Sequence, residues 1–387
     1  MMRAAFRVRL IMLALLAPLG LAACGGPPRD LSLTSVKPAD IVGTVRIFVA
    51  STREMGAEPQ YFTGERGQHL SFAKIDISVP KAHKSGELEL PGSYGKSNPA
   101  EHFAVTSVER IDLSPIVARV RREIAARPPK EREVLVFVHG YNTSFADAAY
   151  RFAQIVHDSD FKGVPVLFTW PSRGQLLAYP YDRESAFYSR DFLEMNLRAI
   201  AKDLGPSRID ILAHSMGTQL TLETLRQASI RGDGNFGGKL RDVMLAAPDV
   251  DLDVFKTVMR EIKTPVTVFV SADDKALEVS RRFAGDKKRL GAISASDKDT
   301  VAELAKSGVD VIDLSDVSTS DSLNHGKFAA SPKVVQMIGK RLQADRGIAM
   351  RGPHFGDRLG DIAGGVVGTV GGTLELVVTA PAAIVQQ

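Results

Sequence analysis

The sequence predicts an α/β fold, a mostly parallel central sheet with helices packed on both faces. Three observations carry this expectation. Short apolar runs recur at 134–138, 164–169, 209–213, 243–246, 266–270 and 309–314. They do not alternate with polar residues, which is how strands buried on both faces look. Each run is followed by a segment of helical periodicity, and such alternation builds parallel sheets through crossover connections. Finally, 387 residues that are 44% hydrophobic and 24% charged can bury a large core without staples. The one cysteine, Cys24, excludes both an intramolecular disulfide and a cysteine-based zinc site.

Along the chain, residues 1–23 read as a leader. Arg3, Arg7 and Arg9 precede an apolar stretch broken by Pro18 and Gly20, too short and interrupted for a comfortable membrane span. The stretch ends Leu21-Ala22-Ala23-Cys24-Gly25, which resembles a bacterial lipobox. The resemblance implies that Cys24 becomes the first mature residue and carries acyl chains, enough to anchor the protein stably in a membrane. Gly25, rather than Asp, after the cysteine resembles the signal for the outer membrane, so the expected location is the cell envelope, facing the periplasm. Residues 24–41, with Pro27, Pro28 and Pro38, read as a tether. The main domain is expected over 42–342. It opens with strand candidates at 44–50, 70–79 and 102–108 and a helix at 113–126, then enters the regular strand–helix rhythm. Residues 343–361 form a linker. The tail, 362–387, is rich in glycine and carries one charge, Glu375. Its Gly364, Gly368 and Gly372 have the small-x-x-x-small spacing of associating membrane helices, while Pro381 and Glu375 favour a plain extension. No internal repeat is visible.

The chemistry is concentrated around Ser215. The strand 209–212 runs into Ala213-His214-Ser215-Met216-Gly217 and then into a helix, the small-x-Ser-x-small pattern of a nucleophile elbow. Such a turn lifts the serine hydroxyl above the sheet, and only small residues fit two positions to either side. After an elbow of this type the acid and then the histidine follow in chain order. Strand 266–270 leads into Ser271-Ala272-Asp273-Asp274, which places Asp274 as the acid, with Asp249 and Asp273 as alternatives. After the last strand comes Asn324-His325-Gly326, making His325 the base. His214 reads as a packed neighbour of the nucleophile rather than a second base. Strand 134–138 ends in His139-Gly140-Tyr141-Asn142, so the backbone N–H of Tyr141, together with that of Met216 at the helix start, forms the expected oxyanion hole.

These pieces together resemble the α/β-hydrolase superfamily, and within it a bacterial branch known only as an alpha/beta hydrolase of unknown function. The resemblance rests on Phe48-Val49-Ala50-Ser51-Thr52-Arg53, His139-Gly140-Tyr141-Asn142 and Phe168-Thr169-Trp170-Pro171-Ser172. It continues through Tyr181-Asp182-Arg183-Glu184-Ser185-Ala186, Ala213-His214-Ser215-Met216-Gly217 and Ala246-Ala247-Pro248-Asp249, and spans about 42–342.

Other motifs do not hold. Asp249, Asp251 and Asp253 have calcium-loop spacing, but Val254 and Arg260 stand where Gly and Glu are required. No His-Glu-x-x-His occurs among the eight histidines, so no metal is expected, and Gly95-Lys96-Ser97 lacks the earlier glycine of a phosphate loop. The 49 basic residues against 45 acidic give +4, and losing three arginines with the leader brings the balance near zero, so nucleic acid is not an expected partner. Residues 183–202 are expected to form one crossover helix, with the aromatic-rich loop before it walling the pocket. The expected function is a membrane-anchored serine hydrolase without a cofactor, acting on an ester or related acyl bond of a small or lipid-like substrate. A peptidase, thioesterase or acyltransferase with the same triad is an alternative, as is a non-catalytic envelope scaffold, because a fold does not determine a reaction.

Overall fold

A computed structural model describes residues 30–91, 97–294 and 296–343. Cys24 and its leader, the 362–387 tail and most of the 343–361 linker lie outside the described residues. One nine-stranded sheet organises the chain, in the order β3-β2-β1-β5-β4-β6-β7-β8-β9. Strands β4 (Glu133–Val138), β5 (Val164–Thr169), β6 (Arg208–His214), β7 (Leu240–Ala246), β8 (Val266–Val270) and β9 (Val309–Asp313) are the expected apolar runs. All pairings among them are parallel.

The unbroken apolar lettering follows from burial on two sides. In β4, Val134, Val136 and Val138 belong to a core cluster that includes Leu193, Leu197, Leu220 and Trp170. On the opposite face Phe137 stacks on Phe152, with ring centroids 5.1 Å apart. The fold is therefore the expected one, a mostly parallel sheet sandwiched between helices.

The first three strands are longer than their sequence suggested. β1 (Ile41–Met55) pairs antiparallel with β2 (Phe62–Pro80), which pairs antiparallel with β3 (Ala104–Ile111). The start of β1 alternates in burial, whereas residues 47–53 are buried without a break. That second half is where β1 also pairs in parallel with β5, Phe48 opposite Val166 and Ser51 opposite Thr169. A strand that changes from one covered face to two has no single periodicity.

Two further expectations are corrected. The tether at 24–41 is docked over part of its length: Leu31 is fully buried, its N–H donates to the Pro59 carbonyl at 3.0 Å, and Leu33 bridges to Val105. An apolar side chain with a pocket to fill outweighs the freedom of a proline-flanked segment. The single helix expected at 183–202 is two, Tyr179–Tyr188 and Arg190–Ala199, followed by a π-turn at Ile200–Leu204. The break falls at Ser189, whose hydroxyl donates to the Ser185 carbonyl at 2.8 Å and meets Thr52 Oγ1 at 2.8 Å. Pro180 is tolerated because it sits in the first turn, where no N–H is needed.

Candidate active site

Ser215 stands between β6 and the helix Met216–Ile230 with φ 52° and ψ −124°. A serine seldom adopts a left-handed φ, and such strain persists only where the surroundings enforce it. Here they do. The Ser215 N–H donates to the Ala246 carbonyl at 3.0 Å, fixing the turn to β7. A Cβ on Gly217 would lie 2.2 Å from the His139 carbonyl oxygen, and one on Gly140 would lie 2.8 Å from the Ser215 Cβ. Gly217 is required because two backbones meet there, and Gly140 because the Ser215 and His214 side chains close over it. The N–H groups of Tyr141 and Met216 flank this contact and donate to no acceptor among the described residues.

His325 follows β9 and comes to Asp274 at the end of β8. Its Nδ1 lies 2.7 Å from Asp274 Oδ2, and the other carboxylate oxygen of Asp274 caps the next helix, Lys275–Phe283, accepting from the Leu277 N–H at 2.9 Å. Asp274 is thus locked in orientation by the helix it starts. Burial lowers the His325 pKa, but the hydrogen bond and charge of Asp274 outweigh it, so the net shift is upward. No hydrogen bond joins Ser215 Oγ to His325 among the described residues; such contacts are often long before substrate binds.

The two alternative acids are occupied elsewhere. Asp249 accepts from Ser280 Oγ at 2.6 Å and Tyr179 OH at 3.1 Å and pairs with Arg289 at 3.2 Å. Asp273 pairs with Lys327 at 2.8 Å and accepts from Asn324 Nδ2 at 2.9 Å. His214 packs between the His325 and Phe328 rings, each centroid 4.7 Å away, and its Nε2 lies 3.2 Å from the His325 carbonyl oxygen. Burial, then the neighbouring His325, holds it well below the ordinary histidine pKa, so it is a neutral packing partner.

Sequence reasoning quoted Arg53, Thr169, Ser172 and Asp182 without a role, and the structure supplies one. Arg53 is 1% exposed. Its guanidinium donates to Thr169 Oγ1 at 2.8 Å and to the carbonyls of Thr63 at 3.0 Å, Ser172 at 2.7 Å and Thr143 at 2.8 Å. Burial lowers its pKa to about 9, which still leaves it charged at neutral pH. His139 sits beside it. The Trp170 N–H donates to His139 Nε2 at 3.2 Å, so the proton of this imidazole is on Nδ1, which donates to the Gly140 carbonyl at 2.9 Å. That carbonyl and the Tyr141 N–H belong to one peptide unit, so this bond fixes the direction in which the N–H points. Asp182, fully buried, ties the same loop down by accepting from Ser172 Oγ at 2.5 Å and the Asn142 N–H at 3.4 Å. A cavity of about 300 Å³ lies behind the loop, lined by Arg53, Phe62, Ser144 and Arg173 but not by Ser215. It is separate from the serine.

Several solved structures resemble this one at low identity. Carboxyl esterase 2 from the mycorrhizal fungus Tuber melanosporum aligns with a TM-score of 0.38 and 10% identity, covering 82% of this chain and 90% of that one. Carboxylesterase CesB from Bacillus subtilis aligns with a TM-score of 0.36 and 8% identity, covering 78% and 92%. A fungal esterase from Rhizomucor miehei aligns with a TM-score of 0.35 and 13% identity, covering 78% and 84%. These likenesses are too distant to transfer a substrate. No curated protein matches the sequence. A family model, described as alpha/beta hydrolase of unknown function (DUF900), matches residues 118–341, from within the helix before β4 to within the last described helix. The chain belongs to that alpha/beta hydrolase family.

Proposed function

We propose that this protein is a serine hydrolase that cleaves a carboxylic ester or related acyl bond. The observation that carries the proposal is the pairing of a strained, glycine-walled Ser215 with a buried Asp274–His325 hydrogen bond in the chain order of a triad. In this reading Ser215 Oγ attacks the substrate carbonyl carbon while His325 Nε2 accepts its proton. The oxygen that becomes negative is held by the N–H groups of Tyr141 and Met216. His325 then returns the proton to the leaving group, and the acyl-enzyme is hydrolysed by a water activated in the same way. Asp274 keeps the imidazole in the tautomer with Nε2 free and stabilises the imidazolium. The chain's own groups suffice for every proton in this cycle.

We place the enzyme on the envelope membrane through lipidated Cys24, with its substrate a small or lipid-like ester. The test is fluorophosphonate labelling of the purified protein alongside a panel of esters, thioesters and amides. Labelling lost in Ser215→Ala, with ester hydrolysis preferred, is the expected result. Absence of labelling in the folded wild type would leave a scaffold role instead. Metabolic labelling with a fatty acid, lost in Cys24→Ser, tests the anchor.

A further inference from the structure

At the face of the sheet away from the helix Met216–Ile230, three side chains outside the catalytic machinery converge: His83 from the turn after β2, and His157 and Asp158 from the end of the helix Phe145–Asp158. A potential ligand atom from each lies within 4.8 Å of the others. We propose that these three residues bind a divalent transition metal, with zinc the best match to two imidazoles and one carboxylate.

The surroundings are those of a prepared site. His83 directs Nε2 at Asp158 Oδ1, 2.7 Å away, while its other nitrogen, Nδ1, meets Glu89 Oε2 at 2.8 Å. A carboxylate behind a ligating histidine fixes the ring and raises its basicity. The second oxygen of Asp158 accepts from the Gly86 N–H at 2.7 Å and Gln154 Nε2 at 2.6 Å, so that carboxylate is also oriented from behind. His157 is different. Its ring touches the His83 ring at 5.4 Å but makes no hydrogen bond among the described residues. An imidazole without a partner beside an oriented His–carboxylate pair is a ligand position.

Tetrahedral zinc with ligands at ~2.0–2.1 Å sets its ligand atoms roughly 3.3 Å apart. His83 and Asp158 must part slightly and His157 must swing inward, both rotamer-scale movements. The ion takes the place of the proton shared between His83 and Asp158, so binding releases a proton and weakens in acid. Water completes the coordination. The site also reaches the catalytic loop. Gln154, which holds Asp158, donates to the Ala329 carbonyl at 3.0 Å, and a Cβ on Gly86 would lie 2.7 Å from the Ala330 carbonyl oxygen. Metal here therefore braces the segment that follows His325.

The experiment is titration of chelator-stripped, tag-free full-length protein in a Cys24→Ser background with Co(II), read by its visible tetrahedral absorption, followed by displacement with Zn(II). One equivalent is expected, accompanied by a rise in melting temperature. His157→Ala should lose the spectrum and the zinc-dependent rise while keeping the metal-free melting temperature, since that ring holds no hydrogen bond. Glu89→Gln should weaken binding by about 10–100-fold, as for other residues behind a ligating histidine. Uptake that His157→Ala leaves unchanged, or a wild type whose stability ignores zinc, overturns the proposal. None of these readouts depends on Ser215.

Discussion

The two loops that flank Ser215 are held in opposite ways. The loop 139–143 is fastened from behind by buried groups: Arg53 to the Thr143 carbonyl, Ser172 Oγ to the Thr143 N–H at 3.0 Å, Asp182 to the Asn142 N–H, and His139 to the Gly140 carbonyl. The loop 321–326 is fastened near the surface by its own short turns. Asp321 accepts from the Gly326 N–H at 2.6 Å and the Leu323 N–H at 3.0 Å, and the contacts from outside the loop are made by Asp274 and His214 to His325, Asp273 to Asn324 and the Lys275 N–H to the Leu323 carbonyl. The difference fits the two tasks proposed for these loops. Oxyanion donors work by being already in place when charge develops, so rigidity is their function. A base must change protonation state and exchange protons with solvent-facing groups. Buried polar networks are rigid when every member is satisfied, and all the Arg53 N–H groups point at acceptors.

Breaking the chemistry on either side of this comparison should have the largest effect. Ser215→Ala and His325→Ala are each expected to reduce kcat/KM on an ester by on the order of 10⁶, and the double variant should be little worse, because triad members act as a unit. Steady-state kinetics on the two singles and the double checks this; losses that multiplied would mean the residues act separately. Next in size is the acid. Asp274→Asn should cost ~10⁴ in kcat, as loss of the orienting carboxylate does in other triads. Asp249→Asn and Asp273→Asn should cost far less, since their carboxylates are committed to Ser280, Arg289 and Lys327.

The oxyanion side should respond differently, through geometry and stability at once. Arg53→Met removes the donor from three backbone carbonyls and Thr169. With each buried unsatisfied group worth ~1–3 kcal/mol, a loss of several kcal/mol in a denaturant melt is expected. Arg53→Lys keeps the charge but not the planar fork, so it should fold better and still lose activity. If the Tyr141 N–H is misaimed, kcat falls by ~10²–10³ while KM changes little. A fall in KM-type binding alone would show that Arg53 serves the neighbouring cavity and not the oxyanion loop.

How much of this could be read from the chain depends on the range of the interactions. The elbow was legible because strand, turn, small residues and helix lie within a few positions of Ser215. The contact between Asp274 and His325 was legible because each follows its strand in a fixed order. The clamp was not: Arg53 reaches Thr169 and Ser172 across more than a hundred positions, and nothing near it in sequence explains a buried cation. The two-part helix escaped notice because Ser189 is broken out by a partner on β1, Thr52, not by a local proline or glycine. Leu31 was hidden among prolines that announce a loop but do not say whether it docks. His83 and His157 stood far apart in sequence with no motif spacing, so the possibility of a metal site arose only when the turn after β2 met the helix end.

The smallest expected effect, a shift in a pH profile, compares the two loops most directly. In the base loop the His325 pKa is raised, because the hydrogen bond and charge of Asp274 prevail over the opposing effect of burial. A raised folded-state pKa stabilises the fold fully below the unfolded value of about 6.5, and that contribution disappears as pH rises through the folded value. Catalysis needs the deprotonated form, so kcat/KM should rise with pH over the same interval, with a midpoint above 6.5. In the oxyanion loop His139 is shifted the other way, by burial first and then by Arg53, and stays neutral throughout. Its contribution is present above about 6.5 and is lost as pH falls, so it adds an acid limit to stability but no titration to the rate near neutrality. Asp274→Asn separates the two. Without the carboxylate, burial dominates His325, and the midpoint of the residual activity should move to lower pH. Arg53→Lys should leave that midpoint in place, since its positive charge and its distance from His325 are kept. A midpoint that followed Arg53 and ignored Asp274 would assign the titrating group to the wrong loop.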